Sequence, residues 1–297
     1  MVSPASRRAA VEHFRSDFDM SERRACSLAG QSRSVQQYRS AAKPIEGLLE
    51  RLIALAGERP RFGYRRLTIL LRREGFLVNH KRIWRLYQGL GLAVRRRKRK
   101  RASQAPREAK PPAKDVNDCW SMDFLSDSMT DGRALRVFAV VDDYSKLSTA
   151  LECDISLPAQ RVLRILDRAI ETYGTPKCIR TDNGPEFTSR AFDRWCYERG
   201  IEHHPIRPGK PIENAYAESF NGRVRDELLN QHCFTSVRHA QDLLEDWQAD
   251  YNTVRPHTAL GGLAPETFLA EQAGPHGARP ARPLTTDPQL QQAVATP

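Results

Sequence analysis

The sequence predicts an α/β core preceded by small all-helical units. Residues 1–94 hold short amphipathic patterns broken by glycines, whereas the chain after residue 116 alternates apolar, strand-like runs with longer amphipathic helices. Between them lies a basic, proline-containing stretch. The expected organisation is therefore a helical segment over 1–42, a second helical domain over 43–94, a linker over 95–115, the α/β core over 116–271 and a disordered tail over 272–297.

The charge of the chain is unevenly distributed. The 297 residues have a formal net charge of +11. Residues 1–114 carry 28 Lys and Arg against 9 Asp and Glu, whereas residues 115–297 carry 19 against 27. The first part is therefore expected to bind a polyanion, most often nucleic acid. The second part has the excess of carboxylates that a metal-dependent site requires.

Several protein classes are excluded by composition and spacing. No stretch approaches the roughly 18 apolar residues of a membrane span, and no apolar segment near Met1 looks like a secretory signal. The six cysteines include no C-x-x-C pair, which argues against a disulfide scaffold and a cysteine-rich zinc site. A second zinc candidate, formed by His203, His204, His232 and Cys233, lacks the usual ligand spacing. We expect a cytoplasmic protein without a membrane partner.

The first helical segment has a helix-turn-helix outline. Ser21 is suited to the N-cap of a helix that Gly30 ends, and a polar, basic helix over 32–39 follows. A purely structural helical hairpin is the alternative.

The second helical domain consists of three short helices with basic outer faces. They are expected over 45–57, over 63–73 and after Asn79, which is placed to cap the last one. Lys81, Arg82 and Arg85 occupy the polar face of that last helix, where they either contact DNA or form a solvated face.

The linker begins with seven consecutive cations. They are Arg95, Arg96, Arg97, Lys98, Arg99, Lys100 and Arg101. A run of like charges does not pack against itself, so it is expected to contact DNA phosphates through counterion release. The alternative is a solvated segment without a partner.

The core pattern starts with three strands, over 119–125, 136–142 and 147–153. A helix over 158–173, a strand over 175–182, a helix over 188–200, an extended segment over 201–205 and a helix over 213–229 follow in that order. The run over 136–142 is almost continuously apolar, as expected for a central strand that is covered on both faces.

Two aspartates lie in predicted strands, where burying a charge costs free energy unless the charge is paired. Asp123 lies within an apolar strand, and Asp182 closes a later strand, directly before a tight Asn-Gly-Pro turn. If the two are adjacent in one sheet they repel each other, and a divalent cation with oxygen ligands would relieve that repulsion. By pattern alone, Asp127, Asp142 and Asp143 compete with Asp123 for the first position.

Glu218 supplies a third carboxylate. On the predicted helix over 213–229 it lies beside an apolar stripe, together with Asn214, Asn221 and Arg225. Arg225 follows seven residues later and falls within roughly 20° of Glu218 around the helix, so it could hold a phosphate. Taken alone, Glu218 and Arg225 are better explained as two surface charges.

Together these motifs resemble the DDE transposase and retroviral integrase core. T-D-N-G-P-E-F surrounds Asp182, K-P-I-E-N-A-Y-A-E-S-F-N surrounds Glu218, and 35 residues separate the two acids. The segment Y-N-T-V-R-P-H-T-A-L and the pattern of 61–92 are similar to the second-frame (OrfB) transposases of two-frame insertion sequences. The resemblance implies a ribonuclease H-like core with a mixed five-stranded sheet. Because the family has its first catalytic acid in a strand of the W-S-M-D-F type, it also implies that Asp123 is the first of the three carboxylates.

The resemblance also implies the chemistry. Asp123, Asp182 and Glu218 would be the catalytic residues and the ligands of two Mg²⁺ ions, with Mn²⁺ as a substitute, about 3.5–4 Å apart. Water would cleave one strand and free a 3′-OH, which would then attack a new phosphate. Lys210, Asn214, Asn221 and Arg225 would contact DNA near the site. Arg180 either approaches DNA or pairs with an acid.

The implied partners are double-stranded DNA, as element ends and as target, and further copies of the chain assembled on it. The product of the upstream frame (OrfA) is a possible fusion partner, and the location would be the bacterial nucleoid. Two rival functions are a nuclease of the same fold that never joins ends, and a DNA-binding regulator with an inactive core.

Overall fold

A computed structural model describes residues 3–38, 45–94, 113–207 and 214–273. The chain forms two compact units, residues 1–48 and 49–297. Among the helices of the described segments, none combines the length and apolarity that crossing a bilayer needs.

The first unit contains three short helices: α1 (Pro4–Phe18), α2 (Glu22–Leu28) and α3 (Arg33–Gln37). Val11 of α1 is buried against Ala25 and Cys26 of α2. Gly30 turns the chain between α2 and α3 with a φ of +61°, a conformation that glycine adopts without steric cost. Ser21 occupies the predicted N-cap position, although its side chain makes no capping bond.

The second unit begins with α4 (Leu48–Glu58), α5 (Tyr64–Arg73) and α6 (His80–Gly89). Their apolar stripes meet in a small core that contains the buried side chains of Leu52, Leu67, Leu71, Ile83 and Tyr87. Asn79 caps α6 as predicted, because its Oδ1 accepts a hydrogen bond from the Lys81 backbone at 2.9 Å.

A mixed five-stranded sheet in the order β3-β2-β1-β4-β5 forms the centre of this unit. The strands are β1 (Cys119–Ser128), β2 (Ala134–Asp142), β3 (Ser148–Asp154), β4 (Cys178–Thr181) and β5 (Glu202–Pro205). The first three are antiparallel, and β4 and β5 run parallel to β1. This arrangement confirms the predicted fold class.

Helices cover both faces of the sheet. One face packs against α7 (Ala159–Tyr173) and α8 (Arg190–Glu198) in a core that includes Trp120, Phe138 and Phe187. The other face packs against α9 (Ala215–Glu227) and α10 (Val237–Thr253), and the chain continues to α11 (Pro265–Ala273). Burial on both faces explains the apolar run of β2.

Two parts of the core differ from the sequence-based expectation. β1 continues to Ser128, beyond the predicted 119–125, because its hairpin with β2 pairs Ser128 with Ala134. Helix α10 is absent from the predicted elements, although Ala240, Leu244 and Tyr251 are buried at amphipathic spacing.

The helices α4 to α6 pack directly on the core. Arg59 makes two hydrogen bonds of 2.5 Å to Asp250 of α10. Arg66 of α5 reaches Glu227, at the end of α9, at 3.0 Å. Residues 49–94 of the predicted second helical domain thus belong to the same compact unit as the α/β core.

Candidate active site

Asp123 lies on β1, and Asp182 directly follows the end of the neighbouring strand β4. β1 and β4 pair in parallel with Cys119 opposite Cys178 and Ser121 opposite Arg180. The same register continued by two residues sets Asp123 beside Asp182. Opposite residues in a parallel pair point to the same face of the sheet, so the two carboxylates face one region.

The Asp123 carboxylate is half-buried and held from two sides. Its Oδ1 accepts a hydrogen bond from the Phe124 backbone at 2.8 Å, and its Oδ2 accepts one from the Asn221 amide at 2.9 Å. Burial raises the pKa of Asp123 to about 6, and the negative charges of Asp182 and Glu218 add to the rise. The Asp123 carboxylate therefore lies within electrostatic reach of both Asp182 and Glu218.

Helix α9 presents Glu218 beside the sheet. Ala217, Phe220 and Val224 form its buried stripe, as predicted, whereas Glu218 is exposed. Asn221, about one turn after Glu218 on the same helix, donates a hydrogen bond to Asp123. This bond holds α9 against β1 close to Glu218. The structure thus brings the three predicted acids into one region.

The turn after β4 is built tightly around Asp182. The Asp182 Oδ1 accepts a hydrogen bond from the Gly184 backbone at 3.0 Å. A Cβ on Gly184 would lie 3.1 Å from that oxygen and 3.2 Å from Glu186 Oε2. Glu186 is in turn bound to Arg136 at 2.6 Å. An alanine at this position would therefore require the Asp182 and Glu186 carboxylates to shift by a few tenths of an ångström.

The competing aspartates have structural partners. The two carboxylate oxygens of Asp142 accept hydrogen bonds from the backbones of Asn117, Tyr144 and Ser145. Asp143 forms a buried ion pair with Arg180 at 2.7 Å. Asp142 ends β2, Asp143 lies in the turn that follows, and both are at least 98% buried.

Arg180 therefore pairs with an acid, which was one of its two predicted roles. Burial raises the pKa of Asp143 to about 6, and the adjacent Arg180 guanidinium acts against that rise. Asp127 lies within β1, where it is paired with Leu135 and accepts a hydrogen bond from the Ser128 backbone at 2.8 Å.

The polar residues of α9 that were predicted to contact DNA are bonded to β1. Asn214 is buried and donates to the Met122 carbonyl at 3.2 Å. Arg225 is exposed and donates to the Ser126 carbonyl at 3.3 Å. With Asn221 on Asp123, these bonds align the helix with the strand. Contact of these three side chains with DNA stays a prediction.

The remaining predicted DNA contacts lie elsewhere. Lys81 and Arg85 are exposed on α6, and Arg82 is half-buried. Lys210 and the cationic run Arg95, Arg96, Arg97, Lys98, Arg99, Lys100 and Arg101 fall outside the described residues.

The donor set suits a hard divalent cation. The charges of Asp182 and Glu218 act unfavourably on the ionised Asp123 carboxylate, and a cation bound by these oxygen ligands would relieve that repulsion. Among the described residues, no group of three His, Cys, Asp or Glu side chains has an arrangement that could hold a metal ion. The chemistry of the site thus fits Mg²⁺, and closer approach of the carboxylates would have to accompany binding.

Comparison with known proteins places the chain in a family. An HTH-like domain model matches residues 46–100, and two integrase core domain models match residues 113–211 and 199–265. The chain is 49% identical over 261 residues to the insertion element IS407 uncharacterized 31.7 kDa protein of Burkholderia multivorans, covering 87% of this chain and 94% of that protein.

More distant relatives extend the comparison. The chain is 27% identical over 218 residues to the putative transposase InsK for insertion sequence element IS150 of Escherichia coli, covering 70% and 77% of the two chains. A chain of the simian T-cell lymphotropic virus intasome in complex with the PP2A regulatory subunit B56 gamma has the same fold, with a TM-score of 0.50, 19% identity and 80% coverage of each chain.

The fold and the site define an integrase-type core that is preceded by a helix-turn-helix-like domain. The chain belongs to the transposase and integrase family, among the proteins of bacterial insertion elements.

Proposed function

We propose that this protein is the catalytic OrfB-type transposase of an insertion sequence. It binds the element ends, cleaves one DNA strand to free a 3′-OH and transfers that end to a target. The observation that supports this most is the level placement of Asp123 and Asp182, with the charge of Glu218 acting on the same region. The relatives named for insertion elements and a transposase point the same way.

Asp123, Asp182 and Glu218 would hold two Mg²⁺ ions, with Mn²⁺ as a substitute. When bound, such ions activate the attacking oxygen and stabilise the leaving oxygen of a phosphoryl transfer. The protein residues around them have separate tasks. Asn221 orients the Asp123 carboxylate, and the Gly184 backbone orients that of Asp182. Arg225, exposed on the same helix as Glu218, would hold a backbone phosphate.

DNA binding would involve the helical units and the basic linker. Lys81 and Arg85 project from α6, and the cations over 95–101 would add phosphate contacts whose strength falls with salt. Assembly of several copies on paired ends, and fusion to the upstream OrfA product, belong to the same proposal.

The test uses the full chain, a labelled duplex carrying the candidate element end and Mg²⁺ or Mn²⁺. We expect nicked and joined products from the wild type and neither from Glu218→Gln, with DNA binding retained in a mobility-shift assay. Glu198→Gln, an exposed acid on α8, is the matched control and should react like the wild type. Equal products from Glu218→Gln and the wild type would contradict the assignment. Nicks without joined products would favour a nuclease.

A further inference from the structure

Arg180 is a cation next to two of the proposed catalytic acids. It lies opposite Ser121 in the parallel pairing of β4 with β1. Arg180 precedes Asp182 by two positions, and Ser121 precedes Asp123 by two positions. Side chains two residues apart on an extended chain point to the same face and start about 6.6 Å apart. An arginine side chain can bridge that distance, so Arg180 has the reach to pair with Asp182.

The Arg180 guanidinium is nevertheless bound to a different acid. Its Nη1 donates to Asp143 Oδ2 at 2.7 Å. Asp143 follows the end of β2, and its backbone N–H donates to the Cys119 carbonyl at 2.9 Å. Cys119 lies two residues before Ser121 on β1, whereas Asp123 lies two residues after it. Asp143 is therefore anchored on the side of Arg180 that is away from the proposed catalytic acids.

A closed turn fixes the position of Asp143. The carboxylate of the preceding Asp142 accepts hydrogen bonds from two backbone N–H groups of the turn, at 3.1 and 2.7 Å. Lys146 ends the turn with a φ of +62° and donates to the Asp143 carbonyl. Asp143 is 2% exposed and Arg180 is 9% exposed. The two charges thus lie in the protein interior, where electrostatic interactions are stronger than in water.

The two partners of this ion pair differ in the opposite charges around them. Burial raises the pKa of Asp143, and the charges of Arg180 and Lys146 act against that rise, so this acid has two cations beside it. Within the described segments Arg180 makes one ion pair, and its Nε is buried there without a hydrogen-bond partner. Loss of Arg180 would leave Asp143 with Lys146, whereas loss of Asp143 would leave a buried guanidinium unpaired.

An unpaired guanidinium in the interior is costly, so it pairs with a carboxylate within its reach. The proposed catalytic acids Asp182 and Asp123 meet that condition. An arginine bound to them would compete with a divalent cation, because both would use the same carboxylate oxygens.

We propose that Asp143 is a positioning residue for the candidate metal site. By pairing with Arg180, it keeps this cation away from Asp182 and Asp123, and both carboxylates stay available to a divalent cation. Asp143 acts through Arg180 and touches neither metal nor DNA in this role. The inference rests on the proposed function, which makes the two acids metal ligands.

Binding of Mn²⁺ to the full chain without DNA tests this role, with the free ion measured by electron paramagnetic resonance. We expect Asp143→Asn to bind Mn²⁺ about tenfold more weakly than the wild type, since a charge-assisted hydrogen bond from Arg180 must first be broken. Arg180→Gln should bind like the wild type, because no cation is released. The double variant should do the same.

Glu152→Gln is the matched control. It removes the acid of another ion pair, with Arg168 on α7, and should bind Mn²⁺ like the wild type. A purely structural role of the Arg180–Asp143 pair predicts equal losses in Asp143→Asn and Arg180→Gln, because both break it. Equal losses would overturn the proposal, as would wild-type affinity in Asp143→Asn. If Asp143→Asn does not fold, the double variant decides: wild-type affinity supports the proposal, and weaker binding overturns it.

Strand joining gives a second measurement. In Asp143→Asn, the Mg²⁺ concentration for half-maximal joining should rise about tenfold, while the rate at saturating Mg²⁺ stays near that of the wild type. A lower rate at saturating Mg²⁺ with an unchanged half-maximal concentration would overturn the proposal.

Asp182→Asn separates this inference from the proposed function. Loss of Mn²⁺ binding in Asp182→Asn, together with wild-type affinity in Asp143→Asn, would overturn only the positioning role. Wild-type Mn²⁺ binding in Asp182→Asn would overturn the proposed metal site and the positioning role with it.

Discussion

Glu227 accepts both hydrogen bonds of the Arg255 guanidinium, from Nε at 2.7 Å and from Nη2 at 2.6 Å. Arg255 is 1% exposed, and its carboxylate partner also receives Arg66 from α5. One carboxylate at the end of α9 therefore joins three parts of the second unit: the helical domain, the helix that carries Glu218 and the segment after α10.

Replacement of Glu227 by Gln should destabilise the fold strongly. The change leaves Arg255 buried without its charged partner, and breaking a buried ion pair on one side costs about 3–5 kcal/mol. Urea unfolding of the full chain measures this free energy. Glu245→Gln, at an exposed position of α10, is the control and should change it by less than about 0.5 kcal/mol. A small loss in Glu227→Gln would show that the pair is dispensable.

Gly184→Ala should impair strand joining more than stability. The added Cβ would approach Asp182 Oδ1 to 3.1 Å, which pushes the carboxylate from its place. We expect about a tenfold lower joining rate, since small misplacements in active sites have such effects. Gly222→Ala on α9 meets nothing within 4 Å, so it should keep full activity and gain up to about 1 kcal/mol of stability. Similar activity in both variants would argue against the proposed role of Asp182.

Asn221→Ala should lower activity through Asp123. It removes the 2.9 Å hydrogen bond that orients the carboxylate, a loss of about 1 kcal/mol and hence roughly five- to tenfold in rate. Single-turnover joining under saturating Mg²⁺ measures the rate. Asn230→Ala, an exposed position after α9, should leave it unchanged. If Asn221→Ala lowers only DNA affinity, the residue contacts DNA instead.

The stability of the protein should fall in acid partly because of His257. Its pKa drops from an ordinary 6.5 to about 3 in the fold, so the unfolded chain binds a proton that the folded chain does not. The contribution to stability is complete above pH 6.5 and is lost towards pH 3, at about 1.4 kcal/mol per pH unit. His257→Gln should flatten this part of the profile in pH-dependent urea unfolding. His232 is exposed, so His232→Gln should leave the pH dependence of the unfolding free energy unchanged. A wild-type pH dependence in both variants would contradict the assignment of this effect to His257.

Local pattern predicted the elements that build the site. The apolar stripe of α9 agrees with the buried Ala217, Phe220 and Val224, and the capping role of Asn79 is confirmed by its bond. These features depend on residues three or four positions apart, or on a single helix end. The three carboxylates were chosen from their strand and helix settings together with the family motif, and the structure brings them into one region.

Contacts between distant residues were not predictable in the same way. The Arg180–Asp143 pair joins residues 37 apart, and Arg59 meets Asp250 across 191 positions. Ion pairs of this kind have no periodic signature, since any cation can satisfy any acid that the fold brings near. The cavity that is lined by Arg66, Lys146, Arg223 and Arg255 is a further example, because these cations come from separate elements.

The parallel pairing of Cys119 with Cys178 has a consequence for which changes the gene can tolerate. Three residues lie between each cysteine and its aspartate, so Asp123 and Asp182 stay abreast only while both segments keep the same length. Substitutions inside either segment preserve that count, whereas a one-residue insertion or deletion reverses the face to which one acid points. The lengths of these two short segments are therefore more strongly constrained in evolution than their amino-acid composition.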